Sequence, residues 1–325
     1  MGWRRCSSTA IRPRENEARF AHDAIFYAGM DDFLAQTVPF IVDGVEAGEP
    51  ILVVVSEEKI ARLRDEMNGH ADRVRFLDMA AVGLNPARII PAWRAFVSEQ
   101  RATGRPFRGI GEPIWAARSR NELDECERHE ALLNVAFEGA PAWRLACPYD
   151  TGSLSPAVLE EAERNHPFVV HQGVRRPSAA YRGLEAAAAP FDRPLPAAPA
   201  NARQLRFEAT AASLHDLRSL VAEGATRLGL PSSRSDDLVL AASEVATNSI
   251  RHGGGRGVLR LWAEPDSLVC EISDAGRIHD PLVGRDRPTG DLESGYGLWL
   301  ANHVCDLVQI RTFESGSVVR LQVRR

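Results

Sequence analysis

Lysine is almost missing from this chain: of its 39 basic side chains only Lys59 is lysine, and every other is arginine. That scarcity closes several chemistries. A P-loop needs a lysine inside GxxxxGK[ST], an ordinary protein kinase needs the lysine of a V-A-I-K strand, and a Schiff-base enzyme needs a desolvated lysine. Lys59 lies in SEEKIARL, the charged start of a helical pattern, and serves none of them. Cysteine is sparse as well. Cys6, Cys126, Cys147, Cys270 and Cys305 include no CxxC pair and are odd in number, which fits reduced thiols in a cytosol rather than a disulfide framework. No run reaches the ~18 apolar residues of a membrane span, and MGWRRCSSTAIRPREN has arginines without the apolar centre of a signal peptide. A basic excess is missing too: the net charge is −5, so no overall positive field draws in a nucleic-acid backbone. A cytoplasmic protein with neither a membrane nor a direct nucleic-acid partner is expected. What is present, 44% hydrophobic and 26% charged residues over 325 positions, suffices for packed cores, and the length suits two domains.

From about His22 to Val170 short apolar runs (AIFYAG, ILVVVS, VRFLDM, FRGIGEP, WRLACPYD, FVV) alternate with segments whose apolar residues recur at three and four, such as EEKIARLRDEM and PARIIPAWRAFVSEQ. That rhythm predicts an α/β domain, residues 20–171, with a parallel sheet between helical layers. Residues 172–202 change character. RRPSAAYRGLEAAAAPFDRPLPAAPANAR is rich in alanine and proline without sustained periodicity, and is expected to be a semi-stiff linker that lets the two halves reorient, its AAAA forming at most a helical turn.

Residues 203–325 read as a strand QLRFEA, a helix LHDLRSLVAEGATRLG, a helix SDDLVLAASEVATNSIRH, strands VLRLWAE, SLVCEISD, VQIRTFE and SVVRLQV, and an inserted helix GLWLANHVCD, an α+β sandwich. In the second helix Ser235 is the expected N-cap, Asp236 and Asp237 suit the positive end of the dipole, Leu238, Ala241 and Val245 form the buried stripe, and Gly253 and Gly254 end it. Three polar features then follow in order. Glu244 and Asn248, four apart, project from one helix face. Asp274 ends a strand with Gly276 two residues on, where a carboxylate can accept a hydrogen bond and the backbone can come close. Gly295 and Gly297 open a helix whose bare N–H groups suit a phosphate.

In that order and setting these pieces resemble the ATP-binding domain of the GHKL superfamily of gyrases, Hsp90 chaperones, histidine kinases and MutL proteins. ASEVATNSIRHG and SGYGLWLANHVCD are most similar to the anti-sigma-factor serine kinases. The resemblance implies that Asn248 ligates Mg²⁺, that Glu244 is the general base for an incoming serine hydroxyl, and that Asp274 bonds the adenine amino group. It further implies that Gly276 lets the base lie close and that Ser317 supplies the hydroxyl that holds Asp274 and a water. Gly295, Gly297, Leu298 and the N–H groups of their turn hold the phosphates. The loop from Arg277 to Ser294 is the expected lid, with Arg285 and Arg287 as candidates for phosphate contact. Where a second glycine often follows Asp-x-Gly, this chain has Ile278. The implied function is a signalling regulator that binds Mg-ATP, phosphorylates a serine of a STAS-type anti-sigma-factor antagonist and binds a sigma factor. Dimerisation is a family expectation. Two alternatives stay open: an ATP-dependent binder without kinase activity, and an atypical histidine kinase, since HDLR at His215 and, more faintly, HEAL at His129 have the look of a phosphoacceptor box. Only 29 residues separate His215 from Glu244, too few for a phosphoacceptor hairpin before the ATP domain.

Residues 20–171 contain no GxGxxG, GxSxG or HExxH. HDAIFYAG, FRGIGEPIW, ECERHEALLN, LACPYD and NHPFVV resemble the MEDS sensory domain, a relative of RecA-like folds without their phosphate loop, which implies signal input by an unknown small molecule. Glu112, Trp115, Cys147, Tyr149 and Asp150 fall at or after strand ends, where parallel sheets bind ligands, and are expected to line a sensory pocket. His22, His129 and His166 with Cys147 match no local metal-ligand spacing, and Glu130 with Asn134 is expected on a helix surface or in a structural bond.

Overall fold

The computed structural model describes residues 20–67, 69–101, 103–185, 193–288 and 295–325. Six strands of the first half run parallel in the order β3-β2-β4-β5-β1-β6: β1 (Ala21–Tyr27), β2 (Ile51–Val55), β3 (Arg75–Asp78), β4 (Phe107–Gly111), β5 (Trp143–Asp150) and β6 (Phe168–His171). All five residues of β2, ILVVV, are buried, as a strand covered on both faces requires. The helices are α1 (Gly29–Glu46), α2 (Glu57–Glu66), α3 (Met79–Gly83), α4 (Ile89–Arg101), α5 (Arg120–Ala136) and α6 (Pro156–Asn165). Because side chains alternate along a strand, β1 splits its residues between two cores. Ile25 and Tyr27 pack with Phe33 and Ile41 of α1, whereas Ala24 and Phe26 join Cys147, Tyr149, Trp93, Leu132 and Val158 on the opposite face.

The linker expectation needs correction. Its first residues form β7 (Val174–Pro177), antiparallel to β6, and Arg175 closes two bonds, 2.7 and 2.9 Å, on Asp23 of β1. Further along, the carbonyls of Arg193 and Pro196 accept from Arg311 and Arg320 at 3.0 and 2.7 Å. A proline-rich tract still offers carbonyls, and arginines take them up, so the segment is tied to both sheets. The AAAA tract lies outside the described residues.

The second half is an antiparallel sheet in the order β11-β12-β10-β9-β8, built from β8 (Arg203–Glu208), β9 (Arg256–Ala263), β10 (Ser267–Asp274), β11 (Leu307–Phe313) and β12 (Gly316–Arg324). Helices α7 (Ala211–Leu228), α8 (Ser232–His252) and α9 (Tyr296–Val304) share one core with its inner face. Leu238, Ala241 and Val245 are buried as expected, and Gly253 ends α8. Ser235 is not the cap. Pro231, with φ −54° and ψ 148°, stands at the N-cap and its carbonyl takes the Ser235 N–H at 3.0 Å, which leaves Ser235 one turn inside.

The two halves meet along α5. Glu125, 1% exposed, faces three arginines: Arg311 of β11 at 2.7 Å, Arg128 at 3.4 Å and Arg285 at 3.8 Å. One turn earlier Glu122 pairs with Arg324 of β12 at 2.9 Å. Asn85 donates to the carbonyl of Asn302 on α9 at 2.9 Å. No helix among the described residues is long and apolar enough to cross a membrane.

Candidate functional site

The apolar stripe of α8 faces the sheet, which turns the neighbouring face, with Glu244 and Asn248, toward the start of α9. There the chain comes very close. A methyl group placed on Gly297 would lie 3.0 Å from Asn248 Nδ2 and 3.1 Å from Glu244 Oε2 and would push both side chains back, whereas glycine leaves this carboxylate and carboxamide facing open backbone. Gly295, at φ +92°, provides the left-handed turn into α9. The N–H groups of Gly297 and Leu298 belong to the first helical turn, which has no intrahelical acceptors. At the last turn of α8, beside Asn248, β10 delivers Asp274. Its Oδ2 accepts from Ser249 Oγ at 2.6 Å and its Oδ1 from the Gly276 N–H at 2.7 Å, which fixes the plane of the carboxylate and leaves lone pairs free. Gly276 is required here too, since a methyl group would come within 2.7 Å of the His252 carbonyl. The structure therefore brings Glu244, Asn248 and Gly297 together, with Asp274 and Gly276 one helical turn further along α8.

Two expected roles do not fit. Ser317 donates to the Gly276 carbonyl at 2.8 Å, not to Asp274; register sets Ser317 opposite Asp274 across β12 and β10, and its hydroxyl turns to the nearer backbone. The hydroxyl that holds Asp274 belongs to Ser249, which the sequence reading missed. Its signal is a polar residue on the apolar stripe, four positions after Val245. Arg285 is no free phosphate contact either. It is 3% exposed, faces Glu125 and donates to the Pro86 carbonyl at 3.4 Å, because a guanidinium inside the junction needs a carboxylate partner. Arg287 is exposed. Residues 289–294 of the expected lid lie outside the described residues. A cavity of about 690 Å³ lined by Phe207, Gly257, Ser273, Gly316 and Ser317 borders Asp274 but does not reach Glu244, Asn248 or Gly297, so the convergent side chains mark the site better than the cavity does.

In the first half the expected single pocket is split between the two faces of the sheet. Glu112 follows β4 on the Tyr27 side, accepting from the Tyr27 hydroxyl at 2.5 Å and from Lys59 Nζ at 2.5 and 2.6 Å. Burial raises the Glu112 carboxyl and Lys59 opposes that rise. Asp150 turns to the backbone N–H of Gly152 at 3.0 Å. Cys147 and Tyr149 point the other way, and Trp115, stacked under Arg118 at 3.7 Å, packs on that side. Strand alternation is the reason.

The face that holds Cys147 also receives Glu130 and Asn134, which are buried rather than on a helix surface. His22 Nε2 lies 3.1 Å from Glu130 Oε2 and 3.3 Å from Cys147 Sγ, and its Nδ1 lies 3.2 Å from Asn134 Oδ1. His166 Nε2 is 3.2 Å from the same Glu130 oxygen, out of hydrogen-bond alignment. No local spacing links His22, Glu130, Cys147 and His166, because β1, α5, β5 and the end of α6 each contribute one of the four. His129, by contrast, is buried with its pKa pushed down to about 3, chiefly by burial, and can meet no phosphate. His215 is exposed on α7, inside the second half.

Residues 21–167 match the family model of the methanogen/methylotroph DcmR sensory domain, MEDS, and residues 207–323 match that of the histidine kinase-like ATPase domain. The chain joins a MEDS domain to a histidine kinase-like ATPase domain. No curated protein matches it. Among solved structures, the RsbU and RsbW domains of Rv1364c from Mycobacterium tuberculosis share 20% identity over 39% of this chain and 33% of that one, at a TM-score of 0.30. This chain thus spans about a third of that protein, and so loose a likeness carries nothing over. The ATPase class implies ATP binding, and the site fits a nucleotide. Gly297 leaves a cradle beside Glu244 and Asn248 that a single Cβ would fill, and Asp274 is half-buried, oriented and still able to accept. Part of the loop expected to be the lid meanwhile packs on the MEDS domain: Leu282 lies against the MEDS core, Arg285 faces Glu125, and Asp286 pairs with Arg94 of α4 at 3.0 Å.

Proposed function

We propose that residues 203–325 bind Mg-ATP and phosphorylate a serine of a STAS-type anti-sigma-factor antagonist while also holding a sigma factor. Residues 20–171 form the sensory input and residues 172–202 the connection. The observation that carries this reading is the convergence of Glu244, Asn248 and Gly297 from α8 and α9 on one cradle, with Asp274 held in plane beside it. Bound Mg-ATP supplies the transferable phosphoryl group and the cation that neutralises it. Asn248 offers an amide oxygen, a donor suited to Mg²⁺. Glu244, one turn before it, takes the proton from the serine hydroxyl. Asp274 accepts from the adenine amino group, and the N–H groups of Gly297 and Leu298 meet the phosphates.

The test is calorimetric titration of the full chain with ADP and ATP, with Mg²⁺ and then with EDTA, on the natural protein and on Asn248→Ala. Saturable binding that depends on Mg²⁺ and loses that dependence in Asn248→Ala is the expected result. Absence of nucleotide binding, with the fold intact by circular dichroism, overturns the reading. Binding without phosphotransfer to any serine-bearing STAS protein leaves a nucleotide-dependent binder in place of a kinase.

A further inference from the structure

We propose that His22, Glu130, Cys147 and His166 form a site for one divalent transition-metal ion of the zinc class inside the MEDS domain. Their ligand atoms all lie within 4.8 Å of one another, and none of the four residues is more than 1% exposed. The separations of 3.1, 3.2 and 3.3 Å among His22 Nε2, His166 Nε2, Cys147 Sγ and Glu130 Oε2 suit a common centre. Bonds of about 2.0–2.1 Å at tetrahedral angles set nitrogen and oxygen ligands roughly 3.3 Å apart.

The outer partners decide how the imidazoles are protonated. Asn134 Nδ2 donates to the Asn165 carbonyl at 2.8 Å, so Asn134 Oδ1 is the acceptor and His22 carries its proton on Nδ1. His166 Nδ1 lies 2.8 Å from the Ala162 carbonyl and must donate to it. With Nδ1 committed outward in both rings, each Nε2 faces Glu130 Oε2, itself an acceptor, at 3.1 Å in hydrogen-bond alignment for His22 and at 3.2 Å out of it for His166. Three acceptors face one another, and Cys147 brings a single thiol proton to share among them. Glu130 Oε1 and the neighbouring Tyr149 hydroxyl have no hydrogen-bond partner. Buried polar groups seldom go unpartnered, and a cation among these lone pairs removes the conflict. Orientation of ligating imidazoles by a carbonyl or carboxamide on the far nitrogen is the usual outer arrangement of such a centre.

The donor set selects the ion. Two imidazole nitrogens, one sulfur and one carboxylate oxygen suit zinc or cobalt rather than magnesium or calcium, which take oxygen shells. Binding releases the Cys147 thiol proton to solvent, and thiolate plus carboxylate then balance the two positive charges, so the buried centre is neutral. One of the four, Glu130, comes from α5, whose preceding turns carry the Glu122 and Glu125 contacts to the ATPase domain.

Metal content of the full chain, expressed in zinc-supplemented medium, is measured by plasma mass spectrometry; chelator-treated protein is then titrated with Co²⁺ alone and followed by absorption. One zinc per chain is expected, and one cobalt giving thiolate-to-metal charge transfer together with tetrahedral ligand-field bands. Cys147→Ser removes the charge-transfer band, and Asn134→Ala, which leaves all four ligands, weakens affinity by about 10–100-fold. The proposal is overturned by natural protein that neither retains zinc nor takes up cobalt, by a cobalt spectrum without the thiolate band, or by unchanged stoichiometry in a folded Cys147→Ser/His166→Gln double variant. The first two readings use the natural chain and stand even where a variant fails to fold.

Discussion

On three helices of this chain a glutamate is followed four residues later by an asparagine, and two of these pairs, on α8 and α5, lie in opposite surroundings. On α8, Glu244 and Asn248 are half-buried and face the bare backbone of Gly297. On α5, Glu130 and Asn134 are closed in with two histidines and a thiol. Helical spacing guarantees only that two such side chains share a face. What lies opposite decides the rest: glycine opens the first pair to a ligand from outside, while His22, 108 residues away in sequence, turns the second pair inward. A local pattern names a shared face, and a distant residue gives that face its chemistry.

The contrast can be broken at each of its ends. The largest effect expected is on chemistry at the open pair: Glu244→Gln lowers phosphotransfer by about 10²–10⁴-fold in a single-turnover assay, with nucleotide affinity retained. A comparable loss of affinity would contradict the role given to this carboxylate. Next comes stability. Glu130→Ala removes the partner of a buried ionisable group and costs about 3–5 kcal/mol in chemical denaturation, whereas Glu244→Ala, half-exposed to begin with, stays within about 0.5 kcal/mol. Equal costs would mean that the two pairs are not differently placed after all. Third, Asp274→Asn leaves an adenine donor short of its acceptor and weakens ATP binding by about 1–3 kcal/mol, one to two decades, with or without Mg²⁺. The smallest effect is a pH dependence on α5 itself. Burial, with Asp124 and Glu161 adding to it, pushes the Glu127 carboxyl up from 4.5 to about 7. The folded chain then holds this proton more tightly than the unfolded chain, so its contribution to stability is present below pH 4.5 and is lost as the pH rises toward 7. Denaturation midpoints across that window show a slope that Glu127→Gln flattens.

The same distinction explains what the sequence made legible. Strands such as ILVVV and the stripe of Leu238, Ala241 and Val245 follow from periodicity, and the structure has them where periodicity puts them. Glu244, Asn248, Asp274 and Gly297 can be singled out as candidates because each lies in a short contiguous motif, and the structure brings Glu244, Asn248 and Gly297 together. Sequence alone does not show the partner of Ser249, a strand residue 25 positions on, nor the turn of Ser317, because register shows which residues are opposite and not which way a hydroxyl points. Arg285 looked like a loop arginine; its carboxylate partner is on the other domain. The histidine cluster was invisible because spacing rules detect ligands only when one turn or loop supplies several of them. The proline-rich tract misled for a related reason: its composition reports flexibility when isolated, while Arg311 and Arg320 supply partners that composition does not reveal.

The chain's one lysine has a practical consequence. Lys59 Nζ is held by Glu112 and Tyr27 and lies 4.8 Å from the centre of the Phe33 ring, with its side chain 16% exposed. Reagents that acylate ε-amino groups, and enzymes that tag lysine, find a single sheltered address in 325 residues. A dye or cross-link captured there reports on the MEDS domain alone, and the ATPase domain, which has no lysine, stays chemically silent.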